Sequence, residues 1–491
     1  GKTVEAADAA GEAYDPGPMR HFATCEIRHV RDKERVCSCP EYSRPHPALS
    51  HSRSLLTTFY ADLYGTGLLM KDFRESHAVR HTVDPYLTLP ALAPWLPEMD
   101  AILLDRMSRW ATPPPGDDGD GCDVGRDAPP CVPSATRMPG TDKHAISIYH
   151  EAKQFTTSVL LNLFLGFSPE DPRTDLYRGF IVDHFRGALS IPLRVPGLGL
   201  NHGIAARDSI FGMLDEEYQK VLVAEAHRLA GDAGEPDKTG EKGGEDDAGG
   251  GGRDRVSLFH EIVRNHVLGK ELNWNECRLF FLWATSSLAI KCVASALTTL
   301  VCHISLRPDV LRELRAEQDI VCKTHGDTIS LDALSRMRYL DGCVQENFRL
   351  WPPFLFCMRG LGQSMVVGER DIPQDWQTMF FIYHMHRDPT AFPDPEAFVP
   401  SRWEQRPGKR QDPPAPEATC PFAGTGPRPH FTFGPAYRPC PGWALVELMT
   451  KLFVVRMLRR WDWQLVDERM ELKYLPVLKP IDGAMLFVTP L

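Results

Sequence analysis

The chain has 491 residues, 43% of them hydrophobic and 24% charged, which is enough for a large buried core and typical of a soluble globular protein. Its net charge of −10 gives no reason to expect nucleic acid as a partner. Thirteen cysteines, an odd number without a repeating spacing, indicate free thiols in a reducing compartment rather than a disulfide framework.

The N-terminal segment 1–71 shows neither a signal peptide nor an apolar run long enough to cross a bilayer. Because the sequence starts at Gly1 without an initiator methionine, an N-terminal anchor could be missing from it. Stretches rich in Gly, Pro and charge at 112–143, 231–254 and 405–430 bury too little apolar surface to offset the entropy of ordering. We expect them to be surface loops inserted into one domain over 72–491.

The longest predicted helix runs from 274 to 305, with Asn273 as its N-cap and with neither Gly nor Pro inside. Its part 279–302 is apolar enough to suggest a membrane span. Lys291 near the middle and several hydroxyl groups favour a buried core helix instead. Apolar residues at helical spacing predict shorter helices over 97–110, 150–165, 205–229 and 256–268.

Strand patterns come late in the chain. Segments 365–367 and 378–383 are predicted to pair as a hairpin, and 485–489 is predicted as a final strand. Many helices followed by a few strands predict a mainly α architecture with a small β region.

The segment 431–442, FTFGPAYRPCPG, carries the strongest chemical signal, and an apolar helical pattern follows it over 443–461. A metal-binding thiolate needs a cysteine on a rigid turn, and the prolines and glycines around Cys440 provide one. The positive end of the following helix would stabilise the thiolate. Arg438 is placed to meet an anionic group. The alternative is a Pro/Gly-rich loop that contains a cysteine by chance.

This segment resembles the haem loop of the cytochrome P450 family, F-x-x-G-x-R-x-C-x-G. Phe433, Arg438, Cys440 and Gly442 match, whereas Ala436 replaces a glycine of the family. The resemblance implies the mainly α cytochrome P450 fold and haem b as cofactor. It also implies that Cys440 is the iron ligand and that Arg438 binds a haem propionate.

Further matches to the family lie upstream. Glu346 and Arg349 form an E-x-x-R pair, and Arg402 in P-x-R-W supplies the third member of a structural triad that supports the haem loop. The resemblance assigns Arg80 and Arg359 to the haem propionates. The motifs RVPGLGLN, LSRMRYLD and WDWQL resemble the clan that contains retinoic-acid hydroxylases and plant steroid oxidases.

The central helix departs from the family, whose monooxygenases carry an acid and an alcohol there for proton delivery. Aligned on Ala284, this chain has Ser287 in place of the acid and Leu288 in place of the threonine, and no Asp or Glu occurs between 276 and 309. Thr285, Ser286 and Ser287 are the remaining candidates for ordering a water. A neutral hydroxyl is a poor proton source near pH 7.

The function therefore stays open among three alternatives. The first is monooxygenation of a lipophilic molecule such as a sterol, terpenoid or retinoid, with O₂ and electrons that come from NADPH through a reductase. The second is isomerase, dehydratase or peroxide chemistry without O₂ scission. The third is a non-catalytic haem-binding protein. The substrate pocket is predicted to be lined by Trp283, Ala284, Leu288 and Ala289.

Local charge suggests a redox partner. Segment 402–460 carries a net charge of +6, which leaves −16 for the rest of the chain. We expect a basic face around Cys440 that binds an acidic flavin reductase or ferredoxin, with Arg456, Arg459 and Arg460 contributing; a solvated charged surface is the alternative. The resemblance implies the cytosolic face of the endoplasmic reticulum membrane, with peripheral membrane contact, or else a soluble protein.

Overall fold

Amphipathic helices that pack around one central apolar stretch set the fold. The computed structural model describes residues 63, 79–110, 135–137, 144–190, 197–229, 256–360, 364–367, 370–374, 376–403, 430–434 and 439–491. The mainly α prediction with a small β region is confirmed.

The helices are α1 (Leu89–Leu92), α2 (Leu96–Ser108), α3 (Ile148–Leu165), α4 (Pro172–Ala188), α5 (Gly199–Leu229), α6 (Leu258–Ile262), α7 (Trp274–Ala284), α8 (Ser287–Ser305), α9 (Pro308–His325), α10 (Leu331–Arg336), α11 (Arg338–Leu350), α12 (Ile382–Met385) and α13 (Trp443–Arg460). A π turn at Val263–Val267 continues α6, and 3₁₀ turns cover Asp84–Leu87, Ala93–Trp95 and Pro400–Trp403. The strands are β1 (Ala135–Arg137), β2 (His144–Ser147), β3 (Cys357–Gly360), β4 (Met365–Val367), β5 (Arg370–Ile372), β6 (Gln377–Phe380), β7 (Trp461–Leu465), β8 (Leu472–Lys473), β9 (Lys479–Pro480) and β10 (Met485–Pro490).

Helical spacing located most of the long helices. The predictions over 97–110, 150–165, 205–229 and 443–461 are confirmed as α2, α3, α5 and α13, with ends shifted by a few residues. The prediction over 256–268 corresponds to α6 and the π turn together.

The long central helix is not continuous, and its prediction as one element is wrong. The chain leaves the helix at Thr285 and Ser286, between α7 and α8. Ser286 is extended (ψ 152°), and its hydroxyl accepts a hydrogen bond from the N–H of Ala289, which makes it the N-cap of α8. Asn273 caps α7, as predicted, by accepting from the N–H of Glu276 at 2.9 Å.

The stretch Trp274–Ser305 is, within the described residues, the one that is long and apolar enough to cross a membrane. However, 78% of its most apolar window is buried inside the protein. The α8 part packs against α3, α11 and α13. These contacts support its interpretation as a core helix.

The final strand is confirmed as β10, which lies between β2 and β7 in an antiparallel sheet of order β1–β2–β10–β7. The predicted hairpin is wrong. β4 pairs with β5, which follows after two residues, and β6 pairs with β3 instead. A two-residue connection gives the shortest hairpin, and the apolar pattern of a strand does not identify its partner.

The predicted loop 231–254 lies outside the described residues, as do most of 112–143, most of 405–430 and segment 1–71 apart from Leu63. The loop prediction is wrong for Ala135–Arg137, which forms edge strand β1 and pairs with β2. The pairing supplies backbone hydrogen bonds that composition does not reveal.

The arginines of α13 bind other parts of the chain. Arg456 donates to Asp100 of α2 at 2.6 Å and to Asp327, at the end of α9, at 2.8 Å. Arg459 donates to the Asp327 carbonyl at 3.1 Å, and Arg460 donates to the Asp327 carboxylate at 2.8 Å. The side chains of Arg456 and Arg459 are only 3% and 6% exposed. The expectation that these arginines form a docking surface is therefore wrong for Arg456 and Arg459, which are buried, whereas Arg460 is 51% exposed.

Replacing Arg456 by Met should lower the free energy of unfolding by roughly 3 kcal/mol, because the ion pair of the buried guanidinium would be lost and the Asp100 carboxylate, only 14% exposed, would lose its partner. Arg460→Met is the matched control, since that side chain is 51% exposed and its ion pair contributes less than about 1 kcal/mol. Urea unfolding followed by circular dichroism measures both. Equal losses in the two variants would contradict the structural role of Arg456.

Candidate functional site

A tight turn presents Cys440 immediately before α13. The N–H of Gly434 donates to the Phe431 carbonyl at 2.9 Å, and the N–H of Cys440 donates to the Phe433 carbonyl at 2.7 Å. Gly434 has a φ of +82°, which side chains disfavour, so a glycine is needed at this turn. Cys440 is exposed and lies beside the positive N-terminal end of α13, which favours its thiolate.

Hydrogen bonds attach this turn to helix α11. The hydroxyl of Thr432 donates to the Phe348 carbonyl at 2.7 Å, and His430 Nε2 lies 3.0 Å from Gln345 Oε1. The amide nitrogen of the same Gln345 donates to Glu447 of α13 at 2.8 Å. The two ends of the turn are therefore fastened to one helix.

The predicted triad lies at the centre of this support. Glu346 accepts from Arg349 through both carboxylate oxygens, at 2.8 and 2.9 Å, and both side chains are fully buried. Arg402 donates to Glu346 at 3.1 Å, Trp403 Nε1 donates at 3.0 Å, and the Val399 N–H donates at 2.9 Å. The carboxylate is thus satisfied by five donors, which is what a buried charge requires.

Arg349 is satisfied equally well. Besides its two bonds to Glu346, its guanidinium donates to the carbonyls of His386, Pro395 and Ala397 at 2.9, 2.6 and 2.9 Å. All five of its N–H donors are used. A single side chain therefore fixes the path of the backbone from 386 to 397.

His386 connects this network to the cysteine turn. Its Nδ1 lies 2.9 Å from the Arg349 carbonyl, and its Nε2 accepts from the Phe431 N–H at 2.8 Å. The ring is therefore neutral with its proton on Nδ1. Burial lowers the pKa of His386 to about 3, so the ring stays neutral throughout the physiological range.

The central helix pair presents an accessible stripe in the core. Trp283, Ala284, Leu288 and Ala289, the four predicted pocket residues, keep part of their surface accessible although most of their neighbours are buried. Cys292, one turn after Leu288, continues the stripe, and sequence reasoning missed it. The i, i+4 spacing from Leu288 was the available signal.

The stripe lies within electrostatic reach of the cysteine turn. Burial raises the pKa of the Cys292 thiol, and the charge of Cys440 raises it further. An exposed thiol at a helix N-terminus, close to an accessible apolar stripe, fits a haem that Cys440 would hold through its sulfur.

The three candidate hydroxyls lie in different surroundings from those expected. Tyr177 of α4, fully buried, donates to the Thr285 hydroxyl at 2.8 Å, and that hydroxyl donates to the Phe281 carbonyl at 2.7 Å. Thr285 is 1% exposed, so the structure does not place its hydroxyl for ordering a water in the pocket. Ser286 caps α8, and Ser287 is the first residue of α8, also buried.

Of the three arginines predicted to bind the haem propionates, only Arg80 has its side chain described by the structure. Arg80 is buried, with 7% of its surface exposed. Burial of Asp84 raises the pKa of that carboxyl to about 6, and the nearby charge of Arg80 partly counteracts this rise. The backbone of Arg359 lies in β3, paired with Thr378 of β6. Arg438 lies outside the described residues. Their roles toward haem stay predictions.

Arg349→Lys should abolish stable haem binding even though it keeps the charge. A lysine has three donors in place of five and cannot bind a carboxylate with two parallel bonds, so Glu346 and three carbonyls would lose partners. The ratio of haem absorbance to protein absorbance after purification measures the effect. Arg336→Lys, at a 60% exposed ion pair, is the control and should keep its haem. Normal haem content in Arg349→Lys would contradict the supporting role.

Acid should weaken the fold through His386. Its folded pKa is depressed to about 3 from 6.5, so between these values the unfolded chain takes up a proton that the folded chain does not. The contribution of His386 to the free energy of unfolding is therefore complete above pH 6.5, and it falls by up to about 1.4 kcal/mol for each pH unit below that value. His386→Gln lacks this pH dependence. The difference in the free energy of unfolding between the wild type and His386→Gln should therefore become smaller from pH 7 to pH 5, measured by urea unfolding. The exposed His227→Gln should show no such trend; a constant deficit in His386→Gln would refute the assignment.

Comparisons with known proteins bear on this arrangement. The family model for Cytochrome P450 matches residues 289–487. Cytochrome P450 26B1 of Rattus norvegicus is 25% identical over 80% of this chain and 65% of that protein. Cytochrome P450 26A1 of Gallus gallus is 25% identical over 68% and 62%. Beta-amyrin 11-oxidase of Glycyrrhiza uralensis is 23% identical over 70% and 62%. The chain thus spans less than two thirds of the length of these relatives.

Solved structures show the same fold. Retinoic acid bound cyanobacterial CYP120A1 superposes with a TM-score of 0.59 at 20% identity, covering 87% of this chain and 82% of that one. A second cytochrome P450, CYP102L1, gives 0.63 at 16% identity, covering 89% and 87%. Together with the cysteine turn and the buried triad, these findings confirm the predicted resemblance of the chain to the cytochrome P450 family, whose model matches residues 289–487.

Proposed function

We propose that this chain is a haem-thiolate monooxygenase that oxidises a lipophilic small molecule with O₂ and two electrons. The observation that carries this proposal is the exposed Cys440 thiol, fixed at the N-terminus of α13 close to the accessible apolar stripe. The sulfur would hold haem iron, and Arg80, Arg359 and Arg438 would bind the propionates. When bound, haem with a thiolate ligand supplies the chemistry of oxygen activation.

The pocket residues support a hydrophobic substrate. Trp283, Ala284, Leu288 and Ala289 offer an apolar surface that favours hydrocarbon over water. Similar proteins are named as an oxidase of beta-amyrin, and one similar structure holds retinoic acid. These names support a sterol, terpenoid or retinoid-like substrate.

Proton delivery would rest on Ser287 and a water, because Thr285 is bound to Tyr177 and Ser286 caps α8. The same observation favours a second function, isomerase, dehydratase or peroxide chemistry, which does not require protons for O₂ scission. A non-catalytic haem-binding role is the third alternative.

Electrons would come from NADPH through an acidic flavin reductase or a ferredoxin. Arg402 and Lys451 bind Glu346 and Asp341, so the docking charge would have to come from other basic residues of 402–460. We propose the cytosolic face of the endoplasmic reticulum membrane as the location, with a soluble protein as the alternative.

Cys440→Ser should abolish the haem-thiolate signature in the carbon monoxide difference spectrum of the reduced protein, because a hydroxyl does not replace a thiolate as an iron ligand. Cys322→Ser, at a partly exposed cysteine of α9, is the control and should keep the signature. An unchanged spectrum in Cys440→Ser would end the proposal.

Turnover then separates the three functions. Product formation that needs both NADPH and reductase indicates monooxygenation, and product formation without electrons or with hydrogen peroxide alone indicates the second function. Haem binding without turnover of any lipid indicates the third.

A further inference from the structure

A hydroxyl, an imidazole and a carboxylate form one hydrogen-bonded row apart from the cysteine turn and the accessible stripe. The Tyr86 hydroxyl lies 3.0 Å from Nε2 of His266, and Nδ1 of His266 lies 2.7 Å from the Glu271 carboxylate. The side-chain amide of Asn265 donates to the Tyr86 oxygen at 3.1 Å. The proposed function uses none of these four residues.

The backbone around the π turn places the row. The turn Val263–Val267 contains Asn265 and His266, and π turns are rare and occur frequently at functional sites. The chain then reverses through Lys270, whose φ of +62° is a conformation that side chains disfavour. The N–H of Glu271 donates to the His266 carbonyl at 2.9 Å, so the carboxylate is held beside the imidazole.

The direction of the hydrogen bonds follows from the carboxylate. An ionised carboxylate only accepts, so in the neutral His266 ring the proton lies on Nδ1, and Nε2 accepts from the Tyr86 hydroxyl. The same order of hydroxyl, imidazole and carboxylate activates nucleophiles in enzymes, where the imidazole takes the hydroxyl proton and the carboxylate orients the ring. Among the described residues, Asn265 alone donates to the phenol oxygen, which leaves that oxygen a second lone pair for bond formation.

The row is accessible from solution. The side chains of Glu271 and His266 are 64% and 22% exposed, and Tyr86 is partly exposed. Polar contacts this close to water add little stability, so a purely structural role does not account for the alignment of three reactive groups. A reagent in solution can reach the phenol.

We propose that Tyr86 is a second reactive site of this protein, a nucleophile that takes the acyl group of aryl esters. Its Oη forms a bond to the ester carbonyl carbon while the phenol proton passes to Nε2 of His266. The bond from that carbon to the aryloxide breaks, and the aryloxide leaves as a phenol after taking the proton. The products are Tyr86 esterified at Oη and a free phenol, with no change of oxidation state.

The chemistry of a phenol nucleophile selects this class of ester. A phenol displaces an aryloxide that is less basic than itself, whereas the more basic alkoxide of an alkyl ester is a poorer leaving group than the attacking phenol. The inference does not depend on haem chemistry.

The test treats the haem-loaded protein with para-nitrophenyl acetate and follows acetylation of individual tyrosines by peptide mass spectrometry. Tyr474 is the internal control: it is 46% exposed, more than Tyr86, and no imidazole–carboxylate pair binds its hydroxyl among the described residues. The variants are Tyr86→Phe, Glu271→Gln and His266→Gln, whose amide can still accept a hydrogen bond but is not a base.

In the wild type, Tyr86 should be acetylated at least about tenfold faster than Tyr474, because general-base catalysis contributes on the order of 10²-fold or more. His266→Gln should lose most of this advantage and Glu271→Gln part of it. Tyr86→Phe should show no acetyl group at position 86, and the rate at Tyr474 should be the same in every variant.

Acetylation of Tyr86 no faster than that of Tyr474 in the wild type would overturn the proposal without any variant. An unchanged rate at Tyr86 in His266→Gln would show that exposure determines the reactivity, and would overturn it as well. The circular dichroism spectrum and the rate at Tyr474 identify a variant that has not folded, in which case the comparison within the wild type decides.

Discussion

The buried ion pair between Glu346 and Arg349 is the interaction on which the rest of the site depends. Two opposite charges without exposure to water are expensive unless every donor and acceptor is satisfied, and here the five guanidinium N–H groups and the carboxylate all have partners. Three of those partners are carbonyls of the segment 386–397. The main role of this ion pair is therefore to hold the backbone of segment 386–397 against α11, rather than to add stability.

A few hydrogen bonds connect this ion pair and its backbone to the turn that carries Cys440. His386 donates from Nδ1 to the backbone carbonyl of Arg349 and accepts at Nε2 from the Phe431 N–H, and Thr432 and Gln345 add bonds to the same turn. The exposed sulfur of Cys440 lies on an irregular segment, yet contacts with a helix fix the position of that segment. A rigid support beneath a loop is how proteins give precise placement to a group that must stay accessible.

Sequence reasoning found the parts of this site that local chemistry defines. The cysteine turn follows from spacing and residue type, and the structure brings Glu346, Arg349 and Arg402 together. The four residues predicted to line the pocket are partly accessible, and their role stays a prediction. It did not find the break between α7 and α8, because no Gly or Pro marks it. At that break the Tyr177 hydroxyl of α4 binds Thr285, which lies 108 residues away in the sequence, and such a contact leaves no local pattern.

Charge was the other property that sequence reasoning misjudged. A net charge of +6 over 402–460 suggested an exposed basic face, but Arg456 and Arg459 are buried. Arg456 pairs with Asp100 and Asp327, and Arg459 pairs with Asp327. Counting charges along a chain assumes that their partners lie in the same stretch. Here the partners come from α2 and from the end of α9.

The sheet order has a consequence for how the protein is made. Because β10 lies between β2 and β7, the four-stranded sheet is incomplete until residues 485–490 have been synthesised. Until then β2 and β7 each present an open edge toward the same gap. On the ribosome, this sheet closes only after β10 has left the exit tunnel.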